Sequence, residues 1–308
     1  MRDSFIKTLI DLAHKDKRIV LLTADLGYTV LESFRDVFPG RFFNVGVAEQ
    51  NMVGVATGMA MQGLIPFVYS IGNFAAFRPF EFIRNGPAGH GLPVRIIGVG
   101  AGVDYGTAGK SHWTLEDVGV LRNLLGLHIV VPADLFQAQS ALKKTWDLPG
   151  PVYYRIGKGD KSALIPEGSF DLGRINVLAR GEDVLFVSMG SAVKEVVNAV
   201  ELLRKDGISC GVAAVSSFNP FPNADLVRVM GKVRWVVTVE DHVVNTGLGG
   251  AVAQAMVCGL SKARLLSLGV TSADLPKSGS KKYLYEQMGL SSNKIASAVR
   301  QILNRERG

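Results

Sequence analysis

Phe42-Phe43-Asn44-Val45-Gly46-Val47-Ala48-Glu49-Gln50-Asn51 opens the stretch around which the chain is organised, and that stretch runs on to Phe80. Its apolar residues predict a strand over Phe43 to Val47, a helix opened by Ala48-Glu49-Gln50-Asn51, and a second strand over Leu64 to Tyr69. Three aromatics follow at Phe74, Phe77 and Phe80. One carboxylate and a cluster of rings are thus set in an apolar αβ unit.

Strand-like runs continue on both sides of this unit. Ile19 to Leu22 precedes it, and Val94 to Val99, His128 to Val131 and Val152 to Arg155 follow, each separated from the next by helical patterning. Such alternation predicts a parallel sheet covered by helices on both faces. Lys158 to Gly173, richer in Gly, Pro, Ser and charge, reads as a linker. A second αβ set comes after it, with strands over Asp183 to Ser188, Cys210 to Val215, Trp235 to Val239 and Leu265 to Leu268. Helices are expected near Ser191 to Arg204, Leu248 to Gly259 and Ser292 to Asn304, and an amphipathic one over Met1 to Ala13. The fold class is therefore α/β, with two domains, each a mostly parallel sheet flanked by helices, over residues 1–165 and 166–308.

Composition narrows the function classes. Of 308 residues, 47% are hydrophobic and 20% charged, which fits a globular enzyme-like chain rather than a disordered one. No apolar run approaches the roughly 18 residues of a membrane span, and no cleavable leader pattern is present. The net charge of +7 is spread in pairs such as Lys143-Lys144 and Lys281-Lys282 without interleaved aromatics, which argues against a nucleic-acid surface and reads as solvated surface. Cys210 and Cys258 lack metal-type spacing, as ordinary thiols in a cytoplasmic protein would.

In open parallel sheets, ligands bind beyond the carboxyl ends of the strands. Asp25, Glu49, Phe74, the glycine-rich 98–109 loop with His112, and Arg155 all fall at such ends. Each also has a structural reading. Glu49 at a helix start complements the macrodipole, the phenylalanines at a spacing of three form a core stripe, and Asp25 in Thr23-Ala24-Asp25-Leu26-Gly27 caps a helix. The glycines lack the order of a dinucleotide loop. His112, in a polar loop before Glu116-Asp117, is an acid/base candidate. His14 and His128 read as structural or exposed, while His90 and His242 in turns stay undecided.

The segment Phe43-Asn44-Val45-Gly46-Val47-Ala48-Glu49-Gln50-Asn51 resembles the pyrimidine-binding domain of thiamine-diphosphate enzymes of the transketolase family. Supporting motifs stand in order: Thr23-Ala24-Asp25-Leu26, the Phe74 to Phe80 cluster, Ser111-His112-Trp113 with Glu116-Asp117, and Val131-Pro132-Ala133-Asp134. Val237-Thr238-Val239-Glu240-Asp241-His242 with Gly247 to Gly250 resembles the family's C-terminal domain.

The resemblance implies a set of roles. Glu49 would bond the aminopyrimidine of thiamine diphosphate and favour the imino tautomer that activates the cofactor, with Phe77 stacking on the pyrimidine and Phe74 and Phe80 shaping the pocket. His112 would lie near the substrate oxygen, Asp25 and Thr29 along the cofactor and substrate channel, and Arg155 and Arg2 at a sugar phosphate. The family's Gly-Asp-Gly motif, which holds Mg²⁺ (or Ca²⁺) and the diphosphate, is absent from the sequence. The resemblance thus implies the C-terminal subunit of a split enzyme, paired with an N-terminal diphosphate-binding subunit in a heterotetramer of two plus two chains. Its reaction would move a two-carbon ketol unit from a ketose, typically a phosphate, to an aldose. Roles like those of 1-deoxyxylulose-5-phosphate synthase, of a 2-oxoacid dehydrogenase beta subunit, or of a non-catalytic partner are the alternatives. Ala108 and Trp113 depart from the family's Asp and Gln at positions that read the sugar.

Overall fold

The computed structural model describes residues 1–159, 163–271 and 275–305. Among the described residues twelve strands run in chain order: β1 Ile19–Thr23, β2 Phe42–Asn44, β3 Ile65–Ile71, β4 Arg95–Val99, β5 His128–Val130, β6 Val152–Ile156, β7 Ile175–Ala179, β8 Val184–Met189, β9 Cys210–Val215, β10 Ser217–Asn219, β11 Trp235–Val243 and β12 Arg264–Val270. They build a seven-stranded sheet, β10-β5-β6-β4-β3-β1-β2, and a five-stranded sheet, β12-β11-β8-β9-β7. All pairings are parallel except those of β10 with β5 and β7 with β9. Central strands such as β1, β4, β6 and β8 are buried along their whole length, which is why they read as continuous apolar runs.

Both antiparallel edge strands escape the sequence pattern. β7 is half-buried and adjoins the linker, and β10 is a three-residue Ser-Phe-Asn segment with little apolar signal. β10 nevertheless matters. One residue after β9, the chain leaves the second sheet and adds a strand to the first. A cut between residues 165 and 166 therefore does not separate the sheets in space.

The linker is also more attached than its composition suggests. Leu164 and Ile165 donate backbone N–H groups to Asp134 Oδ2 at 2.5 and 2.7 Å, and Phe170 is fully buried in the first domain's core. Asp134 meanwhile caps the helix Leu135–Thr145 through Gln137 N at 2.8 Å. Residues 160–162 of that expected linker lie outside the described residues.

β2 is shorter than expected. It holds one partner, β1, and ends at Asn44, because Gly46 adopts φ +75° and turns the chain, leaving Val47 71% exposed. That turn delivers Glu49 as the first residue of the helix Glu49–Met61.

Candidate active site

The carboxyl ends of β1 to β4 and β6 gather the residues singled out above along one edge of the seven-stranded sheet. Glu49 is only 1% exposed, so its place at a helix start is more than a surface charge meeting a dipole. Ser70 Oγ, near the end of β3, donates to Glu49 Oε1 at 3.1 Å, and Arg78 Nη1 donates to Oε2 at 2.8 Å. The Arg78 guanidinium lies 3.9 Å over the Phe74 ring. Phe74 in turn meets the His112 imidazole edge-on at 5.2 Å between centroids. Ser111 Oγ bonds His112 Nδ1 at 2.9 Å, and the Tyr105 ring stands 6.4 Å beyond. Glu49 and His112, 63 positions apart in the sequence, thus sit at two ends of one short row of contacting groups.

The aromatics divide. Phe77 and Phe80 are half-buried and lean on the main core, whereas Phe74 faces Arg78 and His112. Phe74 and Phe77 lie on the helix Gly72–Phe77 and Phe80 opens the next one, Phe80–Ile83; Asn73 on the first donates to the backbone carbonyl of Ser111, tying that helix to the His112 loop. The other amide atom, Asn73 Oδ1, is buried with no hydrogen-bond partner among the described residues.

His112 sits on a loop pinned at both feet. Gly102 and Thr114 exchange backbone hydrogen bonds at 3.1 and 2.8 Å. Trp113 is buried, donates its Nε1 to the Gly106 carbonyl at 3.2 Å, and packs with Val103 and Leu115 into the second domain's core. It is a wedge between domains, so its departure from the family pattern does not place an indole against the substrate. Ala108 is exposed.

Arg155 corrects an expectation. Its side chain is fully buried, with Nε on Asp117 at 3.1 Å, Nη1 on Asp241 Oδ1 at 3.0 Å, and Nη2 on the carbonyls of Thr114 and Asp241 at 2.9 and 3.1 Å. Every guanidinium nitrogen is consumed and none faces solvent, so Arg155 is not a phosphate ligand. It joins the first domain, the foot of the His112 loop and β11 of the second. Burial alone would push the Asp241 carboxyl up, but Arg155 and then Lys281 outweigh it and hold the group below the usual carboxylate range. Tyr285 OH donates to the other Asp241 oxygen at 2.9 Å, and Gly102 is glycine because a Cβ there would meet that oxygen at 2.0 Å. Asp117 takes a further bond from Tyr153 OH at 2.7 Å and does not serve His112.

The remaining candidates lie on the rim. Asp25 (φ +54°) is exposed, and its carboxylate accepts from Asn44 Nδ2 at 2.9 Å and Tyr28 OH at 3.0 Å, bonds that hold its pKa below the ordinary value. Asn44 Oδ1 accepts from both Asp25 N and Gly46 N at 3.0 Å, so Asp25 buttresses the turn before Glu49. It caps no helix: the nearest one begins at Glu32, with Leu31 at the N-cap position. Thr29 (φ +65°) is exposed nearby, its N–H on Glu32 Oε1 at 3.0 Å. Arg2 is half-buried, pairs with Asp3 at 3.1 Å, and lines a large cleft between the domains.

Of the undecided histidines, His242 is structural. Its Nε2 accepts from Gly119 N at 3.2 Å while Nδ1 bonds the Val243 carbonyl at 2.9 Å, the pattern of a neutral ring. Arg78, Asn73 and Ser70 were not anticipated. Arg78 carried one signal: it stands four residues after Phe74, the spacing at which a helical cation reaches a ring. Among the described residues no group of three or more His, Cys, Asp or Glu side chains could hold a metal ion, and no helix is long and apolar enough to cross a membrane.

Comparison with known proteins agrees with this architecture. Residues 1–161 match the transketolase pyrimidine-binding domain, and residues 173–295 match the transketolase C-terminal domain. A protein assigned as a transketolase C-terminal section in Methanocaldococcus jannaschii is 35% identical, over 99% of this chain and 97% of its own. A 6-deoxy-6-sulfo-D-fructose transketolase subunit of Clostridium sp. strain MSTE9 is 34% identical, over 99% and 95%. A solved structure described as a split gene transketolase, inactive beta4 tetramer, superposes with a TM-score of 0.87 at 34% identity, over 98% of this chain and 97% of that one. With a pyrimidine-binding domain followed by a C-terminal domain, and full-length similarity to split transketolase chains, this chain belongs to the transketolase family.

Proposed function

We propose that this chain supplies the pyrimidine half of a thiamine diphosphate site to a cytoplasmic enzyme that transfers a two-carbon ketol unit from a ketose or ketose phosphate to an aldose. A separate N-terminal, diphosphate-binding chain would hold the diphosphate and its Mg²⁺ or Ca²⁺, in an assembly of two plus two chains. The observation that carries the reading is the way Arg78 lies across the site. Its flat, nitrogen-bearing guanidinium stacks on Phe74 and donates to the buried Glu49 carboxylate at 2.8 Å. A ring face and a carboxylate are thus already spaced to hold a planar hydrogen-bonding group between them, which is what an aminopyrimidine is. The Arg78 side chain is 41% exposed, so the position it occupies opens to solvent.

When bound, thiamine diphosphate would supply the electron sink that lets a carbon–carbon bond beside a carbonyl break and re-form. The chain's own residues do the rest. Glu49, shielded from water and steadied by Ser70, holds a hydrogen bond or a proton at a ring nitrogen. Phe74 presents its face, with Phe77 and Phe80 backing it from the core. His112, oriented by Ser111 and by the clamped loop, would offer a substrate oxygen a donor or a proton acceptor. Asp25 and Thr29 shape the rim.

Co-expression with a diphosphate-binding chain followed by a ketol-transfer assay tests this, with xylulose 5-phosphate and pyruvate compared as donors. Activity should require both chains and thiamine diphosphate, and Glu49→Gln should remove most of it while leaving assembly intact. Turnover by this chain alone, or near-normal turnover of Glu49→Gln, would sink the reading.

A further inference from the structure

A cavity of about 620 Å³ opens at the junction of the two domains. Its walls are the helices Asn223–Met230 and Leu248–Cys258 of the second domain, the segment from Phe218 to Phe221, and Arg122, which follows the helix Asp117–Leu121 of the first domain. The Asn219 carbonyl bonds His128 Nδ1 at 3.0 Å, and His128 begins β5. The cavity therefore adjoins the amino end of a strand of the first sheet, whereas Glu49 and His112 belong to the edge formed by the carboxyl ends. Among the described residues no Asp or Glu lines it.

Arg122 is the cation of this cavity and is half-buried. Its Nη1 donates to the carbonyls of Thr246 and Gly247 at 3.3 Å each, and the guanidinium carbon stands 6.0 Å from the centroid of the Phe218 ring. Among the described residues Nε and Nη2 make no hydrogen bond, which leaves one edge of the fork open. The carboxylate whose charge Arg122 feels, Glu240, is spent on the backbone N–H groups of Leu248 and Gly249 at 2.7 Å each. Burial pulls the Arg122 pKa below its ordinary value, and Glu240 only opposes that pull. A partly desolvated cation with an open edge is stabilised by an anion placed against that edge.

We propose that this cavity binds an apolar or aromatic monocarboxylate, with Nε and Nη2 of Arg122 pairing its two oxygens and the walls around Phe218 and Phe221 taking its body. The two rings lie 5.6 Å apart, Phe218 fully buried and Phe221 half-buried, and Val227 and Ala255 line the cavity with them. Apolar walls with one convergent charged group are the usual build of a small-molecule site of this volume. The same walls select against a phosphate, a more strongly hydrated anion for which a single guanidinium is a poor exchange for water. A planar carboxylate matches the open edge in both charge and shape. The proposal is independent of the ketol-transfer reading.

Calorimetric titration of the full chain with hydrocinnamate, a phenyl ring on a short carboxylic acid chain, tests it. Hydrocinnamyl alcohol lacks the charge and propionate lacks the ring, so each removes one half of the recognition. Saturable binding of hydrocinnamate is expected, with the alcohol at least about ten-fold weaker and propionate undetectable. Arg122→Gln should weaken the acid by about ten-fold or more and leave the alcohol unchanged. Because Arg122 also bridges the domains, Ala224→Trp serves as a second variant: Ala224 is exposed and lines the cavity, so an indole there fills it without entering the core, and binding should be lost while the thermal midpoint is kept. Phe74→Ala should leave binding unchanged, which separates this cavity from the candidate active site. Absence of saturable binding, equal affinity for the acid and the alcohol, or unaltered binding in Ala224→Trp overturns the site. Dissociation of the chain's own oligomer by Ala224→Trp, seen in sedimentation, overturns it as well and assigns the cavity to a contact between copies. None of these readouts uses turnover, so failure of the ketol-transfer reading leaves them standing.

Discussion

Replacing Arg155 by methionine separates two readings of one residue. As a phosphate ligand on a rim, Arg155 would contribute little to folding, on the order of 0–1 kcal/mol as exposed ion pairs do. The structure instead buries the guanidinium completely between Asp117 and Asp241, whose side chains are themselves 0% exposed, and uses it for two backbone carbonyls as well. Arg155→Met leaves two carboxylates without their cation in the interior, a change that typically costs about 3–5 kcal/mol. Tyr153 and Tyr285 still donate to those carboxylates, which keeps the expected loss within that range rather than above it. Lysine should not rescue, because one ammonium cannot reproduce a planar fork on four acceptors. The triple variant Arg155→Met, Asp117→Asn, Asp241→Asn removes the orphaned charges and should recover part of the loss. Urea unfolding followed by far-UV circular dichroism and by tryptophan fluorescence is the assay; Trp113 sits in the clamped loop, Trp146 follows the helix Leu135–Thr145 and Trp235 begins β11, so the second probe reports on both domains and on the loop between them. A loss for Arg155→Met below about 1 kcal/mol, with unchanged secondary structure, would refute the clamp.

Two further perturbations follow from the same geometry. Phe74→Ala should weaken thiamine diphosphate binding in the assembled enzyme by roughly 1–3 kcal/mol and raise the mobility of His112, while Phe77→Ala should cost mainly stability; the opposite division, in cofactor titration and thermal melts, would return Phe74 to a packing role. Burial chiefly, with Arg155 adding to it, pushes the His242 imidazole below its ordinary value and outweighs the opposing pull of Asp117, so the unfolded chain takes up a proton that the folded ring refuses. Its contribution to stability is therefore complete above the ordinary histidine pKa of about 6.5 and is lost as pH falls below it, and His242→Asn should flatten that part of the stability profile. Imidazole ¹⁵N shifts that titrate normally in the folded protein would contradict this.

Much of the fold was legible because burial writes itself into short apolar runs. The strands now labelled β1, β3 to β6, β8, β9, β11 and β12 coincide with such runs to within a few residues. β7 and β10 are edge strands, paired on one side, whose residues need not be uniformly apolar; β12, also at an edge, is apolar enough to be read as a run. β2 was overextended because Val45 and Val47 are apolar yet stand beyond the turn at Gly46.

The site divides in the same way. Glu49, Phe74 and His112 could be placed at strand ends from the sequence, since a parallel sheet sends the residues after each strand to one edge. What lies next to each could not. Arg78 on Glu49 and Asn73 on the His112 loop depend on contacts between segments dozens of residues apart. Arg155 shows the difference most plainly. Its position at the end of β6 was determined by the order of strands along the chain, but whether its charge meets a ligand or two aspartates was decided only when the second domain brought Asp241 against the first. Periodicity and strand order are local properties of a chain, whereas the pairing of a buried charge depends on which surfaces exclude water together, and that exists only in the folded whole.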